Sequence, residues 1–227
     1  WDVKDQVSHL AFFDETATLS AVDPDAFLRA AEDLVELGED FTEHVARLHH
    51  HDPGPQLLAW FTDARRTLLS TFAALDAATT LPWFGPPMSA ASSVTARLME
   101  TWAHGQDVAD ALGVVREPTH RLRHVAHIGV STIGWSFRLR GLEPPTTAVR
   151  VELVAPDGSS WTWGPEDATE RVTGTAEDFC LLVTQRRHRD DLRLRTGGPT
   201  MAGYLEVAQA FAGPPGPGRA RLGAGQT

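Results

Sequence analysis

The sequence predicts an α+β chain: helices to about residue 140, then a small α/β segment and a Pro/Gly-rich tail. Three observations carry this. In the first part, apolar or small residues recur at three- and four-residue steps, as in Val94, Leu98, Trp102, Gly105, Ala109 and Leu112. After Glu143-Pro144-Pro145 the pattern changes to the alternating, β-branched stretch Thr147–Val154. From Gly213 the composition turns to Pro and Gly, which predicts a flexible tail. The regions so drawn are 1–140, 146–212 and 213–227.

Taken in order, Trp1–Ala21 reads as a helix with Asp2 as its N-cap and Val3, Val7, Leu10 and Ala17 as its stripe. Asp23-Pro24-Asp25 stops it and starts the next, Pro24 suiting a first helical position. Asp25–Leu37 and Glu39–His49 are helical pieces broken at Gly38, and Pro55–Ala78 is a long helix striped by Leu58, Phe61, Leu68 or Leu69, Phe72 and Leu75. Leu81–Met88 (LPWFGPPM) is a rigid loop with an aromatic pair, closing the end of the helices or walling a pocket. Ser89, Ser92 or Ser93 caps the following helix, and Gly113 sits at its C-cap. Glu117-Pro118-Thr119 opens a helix to about Arg138. Beyond Pro145, Thr147–Val154, a Pro156-Asp157-Gly158 turn and Ser160–Trp163 form a hairpin. Glu170–Thr173 and Leu192–Arg195 are further short strands, and Ala176–Gln185 and Thr200–Phe211 are helices.

Bulk properties narrow the function classes. With 20 basic and 30 acidic residues the formal net charge is −10, which argues against a broad phosphate-binding surface and against a nucleic-acid partner. No apolar run reaches the ~20 residues of a membrane span. Cys180 is the single cysteine, so no intrachain disulfide forms and a reducing, cytoplasmic setting is expected.

The chemistry-bearing residues come next. Glu100 and His104 are four apart on one helix, so both project from the same side and can share one divalent ion, leaving positions to be filled from elsewhere. The same spacing also arises in solvated or core-edge pairs. His9 lies on the flank of the first helix's stripe, where a hydrogen-bonded core-edge histidine is the plain alternative to a ligand. His49, His50 and His51 are adjacent and point in different directions, which fits cations at a helix C-terminus better than a metal site. His120, His124 and His127 fall at i, i+4 and i+7, too spread along one axis to complete a site; His127 is expected to act from behind the ligands. Cys180 sits among Phe179, Leu181, Leu182 and Val183 and reads as a buried core thiol, so no catalytic nucleophile is assigned.

Trp1-x-Val3-x-Asp5-x-Val7-x-His9-Leu10, followed about ninety residues later by Glu100-x-x-x-His104, resembles the mycothiol-dependent maleylpyruvate isomerase group, within the DinB-like set of metal-binding four-helix bundles. The resemblance covers nearly all of the chain except the tail. It implies an N-terminal four-helix bundle whose first helix lies before Trp1, and a small α/β C-terminal domain. It implies His9, Glu100 and His104 as metal ligands, three from the protein, as in open catalytic sites. Zinc is preferred, with nickel or iron also suited to two histidines and a carboxylate. Asp107, one turn beyond His104, is placed to orient its ring, with a surface acid as the plain alternative.

The resemblance further implies mycothiol, or a similar low-molecular-weight thiol, as cosubstrate in isomerisation or thiol transfer on a small electrophile. Arg186 or Arg187 is the candidate cation for that thiol or an anionic substrate, by analogy with an arginine of the family's C-terminal domain. Two other classes stay open: a metal-dependent hydrolase that activates water, and a non-enzymatic metal- or ligand-binding bundle. A homodimer fits any of the three.

Overall fold

Asp2 begins the structure with a capping box: its side chain accepts from the Lys4 and Asp5 amides, and the Asp5 carboxylate accepts from the Asp2 amide in return. The helix so started, α1, runs over Val3–Val22. The computed structural model describes residues 1–38 and 41–223. Asp23 caps α2 (Pro24–Glu36), with Pro24 in its first turn. Then follow α3 (Phe41–His49) and α4 (Gly54–Ala73). Residues 39 and 40, which the sequence placed at the start of the third helix, lie outside the described residues.

The aromatic loop is framed by a two-stranded antiparallel ladder, β1 (Thr80–Leu81) with β2 (Met88–Ser89), where the sequence showed only a loop. Trp83 stacks on Phe27 at 5.8 Å, and Phe84 meets Phe13, Phe27 and Phe41, so the loop fills the helical core. Ser89 caps α5 (Ala90–Leu112), which ends on Gly113 in the left-handed conformation that glycine adopts without strain.

The chain divides into two units, Trp1–Val115 and a second beginning at Arg116. In the first unit α1 is the central helix, packed by α2, α3, α4 and α5. Its inward face keeps Leu10 and Ala17 of the expected stripe but is otherwise largely polar. Val3 is exposed, whereas Asp5, Gln6, Ser8, His9 and Asp14 are buried with Leu10, Phe13 and Ala17. On α5, likewise, Leu112 is exposed while Arg97, His104 and Gln106 are buried.

The division near Arg116 differs from the boundary expected at residues 140–146. The residues between belong with the second unit because their apolar faces match its helices. The expected single helix to Arg138 is two, α6 (Leu122–Ser131) and α7 (Ile133–Leu139). They break at Thr132, whose hydroxyl bonds back to the Ile128 and Gly129 carbonyls. The sheet has order β4-β3-β5-β6, from β3 (Val149–Val154), β4 (Ser160–Trp163), β5 (Glu170–Thr175) and β6 (Arg195–Gly197). The expected hairpin is β3/β4, antiparallel with Val154 opposite Ser160; β3/β5 is parallel and β5/β6 antiparallel. α8 (Ala176–Val183) and α9 (Pro199–Val207) pack on the sheet, α6 on α8 and α7 on α9. The described part of the tail, 213–223, has no helix or strand but is held: Arg140 donates to the Gly216 carbonyl at 2.9 Å and the Leu222 amide to Asp191 at 2.8 Å.

Gly129 is what lets α6 approach α8. A Cβ there would meet Phe179 and Val183 side-chain atoms at 2.9 Å. Gly129→Val is therefore expected to destabilise the second unit by about 1–3 kcal/mol through overpacking, read as a lower urea midpoint with unchanged slope.

Candidate metal centre

α1 and α5 run antiparallel, so residues early on α1 face residues late on α5. His9 thereby meets Glu100 and His104 across the seam, with its ring centroid 4.5 Å from that of His104. One carboxylate oxygen, Glu100 Oε2, lies 3.1 Å from His104 Nε2 and 3.5 Å from His9 Nε2. Both imidazoles are buried, and the Glu100 carboxylate keeps partial access to solvent.

The far side of the His104 ring explains its orientation. The Gln6 side-chain oxygen accepts from His104 Nδ1, which fixes the ring with Nε2 turned toward Glu100. His104 Nε2 and His9 Nε2 face the same carboxylate oxygen. His9 Nδ1 is buried with no hydrogen-bond partner. The Trp1 indole closes over both rings, 5.9 Å from His104 and 5.1 Å from His9, and its Nε1–H donates to Glu43 at 2.6 Å. Phe13 borders His9 at 4.6 Å.

Electrostatics follow from this packing. Burial pushes the His9 imidazolium down to about 4, against a smaller opposing pull from Glu100. Burial raises the Glu100 carboxyl, but the hydrogen bonds and charges of His104 and His9 outweigh it and hold the group well below its usual range. At neutral pH His9 is a neutral imidazole beside an ionised carboxylate.

This donor set fits a divalent cation. Bonds of about 2.0–2.2 Å at near-tetrahedral angles put neighbouring donors roughly 3–3.6 Å apart, the spacing seen around Glu100 Oε2. Among the described residues one other triple brings its donor atoms within 4.8 Å, Asp2, Asp5 and His50. There Asp2 and Asp5 are committed to the capping box, and Asp5 accepts from His50 Nδ1 at 3.3 Å.

The remaining expected residues are placed as follows. Asp107 lies 3.9 Å from His104 Nδ1, an ion-pair distance beyond hydrogen bonding; Gln6 takes the orienting position. His49 pairs with Asp52 at 2.9 Å beside Trp60, while His50 turns to Asp5 at 3.3 Å and lies edge-on to His51. His127 is exposed on α6 of the second unit, and His120 precedes that helix, so the expected i, i+4, i+7 array is not one helical face. Arg186 and Arg187 also belong to the second unit, just beyond α8, with guanidinium donors on the Thr184 and Arg186 carbonyls. Cys180 is a core thiol, its Sγ 3.4 Å from the Leu122 carbonyl and its pKa pushed well up by burial.

Sequence reasoning missed Gln6, although its position three residues before His9 puts it on the same side of α1. It also missed the buried pair Asp14–Arg97, at 3.1 Å, one turn away from the cluster on each helix.

Two predictions follow from this geometry. Gln6→Ala is expected to weaken zinc binding by roughly 10- to 100-fold, as loss of a ligand-orienting hydrogen bond does, measured by competition with a chromophoric chelator. In the metal-free protein, the unfolded chain protonates His9 near 6.5 and the folded one only near 4. Stability contributed by neutral His9 is thus present above about pH 6.5 and falls as pH drops toward 4, by up to roughly 3 kcal/mol. Urea titrations of wild type and His9→Gln across this window are expected to differ by that slope.

Comparisons with known proteins place the first unit in a family. A family model described as the mycothiol maleylpyruvate isomerase N-terminal domain matches residues 1–109. A second, described as wyosine base formation, matches residues 145–195, from just before β3 into β6. Two Mycobacterium tuberculosis proteins, the uncharacterized protein MT0041 of strain CDC 1551 and the uncharacterized protein Rv0036c of strain H37Rv, are each 46% identical over 220 residues, covering 96% of this chain and 85% of their own. No solved structure matches.

Proposed function

The chain belongs to the mycothiol maleylpyruvate isomerase family, and on that premise we propose that His9, Glu100 and His104 hold one divalent cation, preferably zinc, in an enzyme that uses a low-molecular-weight thiol. Within this reading the first unit is a DinB-like bundle core, with α1 and α5 supplying the ligands. The observation that carries the proposal is the meeting of two imidazole nitrogens on one carboxylate oxygen, at 3.1 and 3.5 Å, with the His104 tautomer set by Gln6.

A cation bound here would supply Lewis acidity, lowering the pKa of a thiol or water that completes its coordination. The protein's own groups do the rest. Neutral His9 and ionised Glu100 offer their donors without first losing a proton at pH 7. Gln6 holds the His104 ring in the ligating tautomer, while Trp1 and Phe13 exclude water from two sides of the cluster. A thiol activated in this way would be nucleophilic enough to add to an electrophilic carbon of a small substrate and to leave it again, the chemistry that isomerisation requires. Arg186 or Arg187 is our candidate for holding the anionic end of thiol or substrate. A single buried cysteine fits a reducing, cytoplasmic setting, and among the described residues no helix is long and apolar enough to cross a membrane.

Elemental analysis of the purified protein and of His104→Ala tests this. About one metal per chain, lost in the variant, is the expected result; no stoichiometric metal after reconstitution with zinc, nickel and iron refutes it. With metal present, turnover of an electrophile only when thiol is added supports the thiol mechanism. Metal-dependent ester or amide cleavage without thiol would replace it with hydrolysis.

A further inference from the structure

Beneath the cluster lies a charged network that the ligand chemistry does not use. Asp14 is fully buried on α1. Its two carboxylate oxygens are taken by different helices: Oδ1 by Arg97 Nε of α5 at 3.1 Å, and Oδ2 by Arg65 Nε of α4 at 2.6 Å. Arg97 also reaches the Leu10 carbonyl, next to His9, at 3.4 Å. Arg65 also donates to the Thr101 hydroxyl, next to Glu100, at 2.7 Å. The Arg97 guanidinium lies 5.8 Å from the centre of the Phe13 ring, which also borders His9 at 4.6 Å.

A buried ion pair is a poor source of net stability, because desolvation offsets its attraction and apolar replacements of equal volume do as well. What it supplies is direction. Apolar side chains tolerate a slide of one helix along another, whereas two arginines on one carboxylate admit a single register. Here each tie ends beside a ligand: Leu10 adjoins His9, and Thr101 adjoins Glu100. Asp14 itself is five residues from His9 on α1, and Arg97 is three from Glu100 on α5.

We infer that Asp14, gripped by Arg97 and Arg65, is a positioning residue that fixes the register of α1 against α5 and thereby the spacing of His9 from Glu100 and His104. The inference rests on the reading of those three residues as a metal site. Its geometric content, however, can be read without metal.

The test compares the full chain as wild type, Asp14→Asn, and the triple variant Asp14→Leu/Arg65→Met/Arg97→Met, which leaves no buried charge unpaired. Arg65→Met, removing one tie from a partly exposed side chain, serves if the others do not fold. Cobalt(II) is the probe, with its visible absorption as the signature of ligand geometry. Folding is checked by circular dichroism. Folded variants are expected to bind cobalt at least tenfold more weakly, with a shifted spectrum, and to show displaced His9 and His104 ring ¹⁵N signals in the metal-free state. Wild-type cobalt affinity and ring signals in a folded variant overturn the inference and leave the network a role in stability alone. If the wild type takes up no cobalt, the metal reading falls separately. The metal-free ring signals then decide: displaced, they sustain the positioning role; unmoved, they end it.

Discussion

The first unit turns on one carboxylate oxygen. Glu100 Oε2 is faced by imidazole nitrogens from two helices, and the neighbouring polar residues are arranged to make that meeting possible. Gln6 decides which nitrogen of His104 turns toward the carboxylate. Trp1 and Phe13 line the rings, so that the histidines sit out of water. Removing the His9 imidazole from solvent favours its neutral form, while the hydrogen bonds of the two histidines keep the buried Glu100 carboxylate ionised. A neutral imidazole beside an ionised carboxylate is the donor pair that the proposed cation would need.

Local signals in the sequence were reliable where the physics is local. Asp2, Asp23, Ser89 and Gly113 act as caps because a side chain, or glycine's freedom, satisfies backbone groups within a few residues. The β3/β4 hairpin follows from alternation and a tight turn. His9, Glu100 and His104 were legible through a family pattern and through the i, i+4 spacing. The apolar stripes were less reliable. On α1 and α5 the buried face is largely polar, so periodicity pointed to Val3 and Leu112, both exposed, and passed over Asp14 and Arg97. A buried charge is recognisable only with its partner, and that partner is 83 residues away. The place where the two units divide, near Arg116, lay beyond local signals for the same reason. What assigns α6 and α7 to the second unit is Gly129 against Phe179 and Ser136 against Gln209, pairs that no local window contains.

Low amphipathicity on α1 is therefore informative. A helix surrounded by others has little solvent-facing surface, and its polar residues must find partners within the protein. Asp5, Gln6, His9 and Asp14 each do so through a different neighbouring residue, and together they give α1 a single fitted orientation that a uniformly apolar helix would lack. The second unit is organised differently. Its sheet core is apolar and its one cysteine is buried among apolar side chains, so it follows the ordinary division between inside and outside.

The two contributors to the cluster are far apart along the chain. His9 and Glu100 are separated by about ninety residues, so an ion shared between them would act as a crosslink closing most of the first unit into a ring. In the unfolded chain a ring of that length is disfavoured by roughly 4–5 kcal/mol of loop-closure entropy. Glu100 and His104 alone, one helical turn apart, need no such closure. Loading, on the proposed reading, would thereby be tied to tertiary structure. A partly folded chain that has formed only α5 would offer two donors and hold an ion weakly, while the finished seam would offer three. Occupancy would then record that the two ends of the long loop between the helices have met.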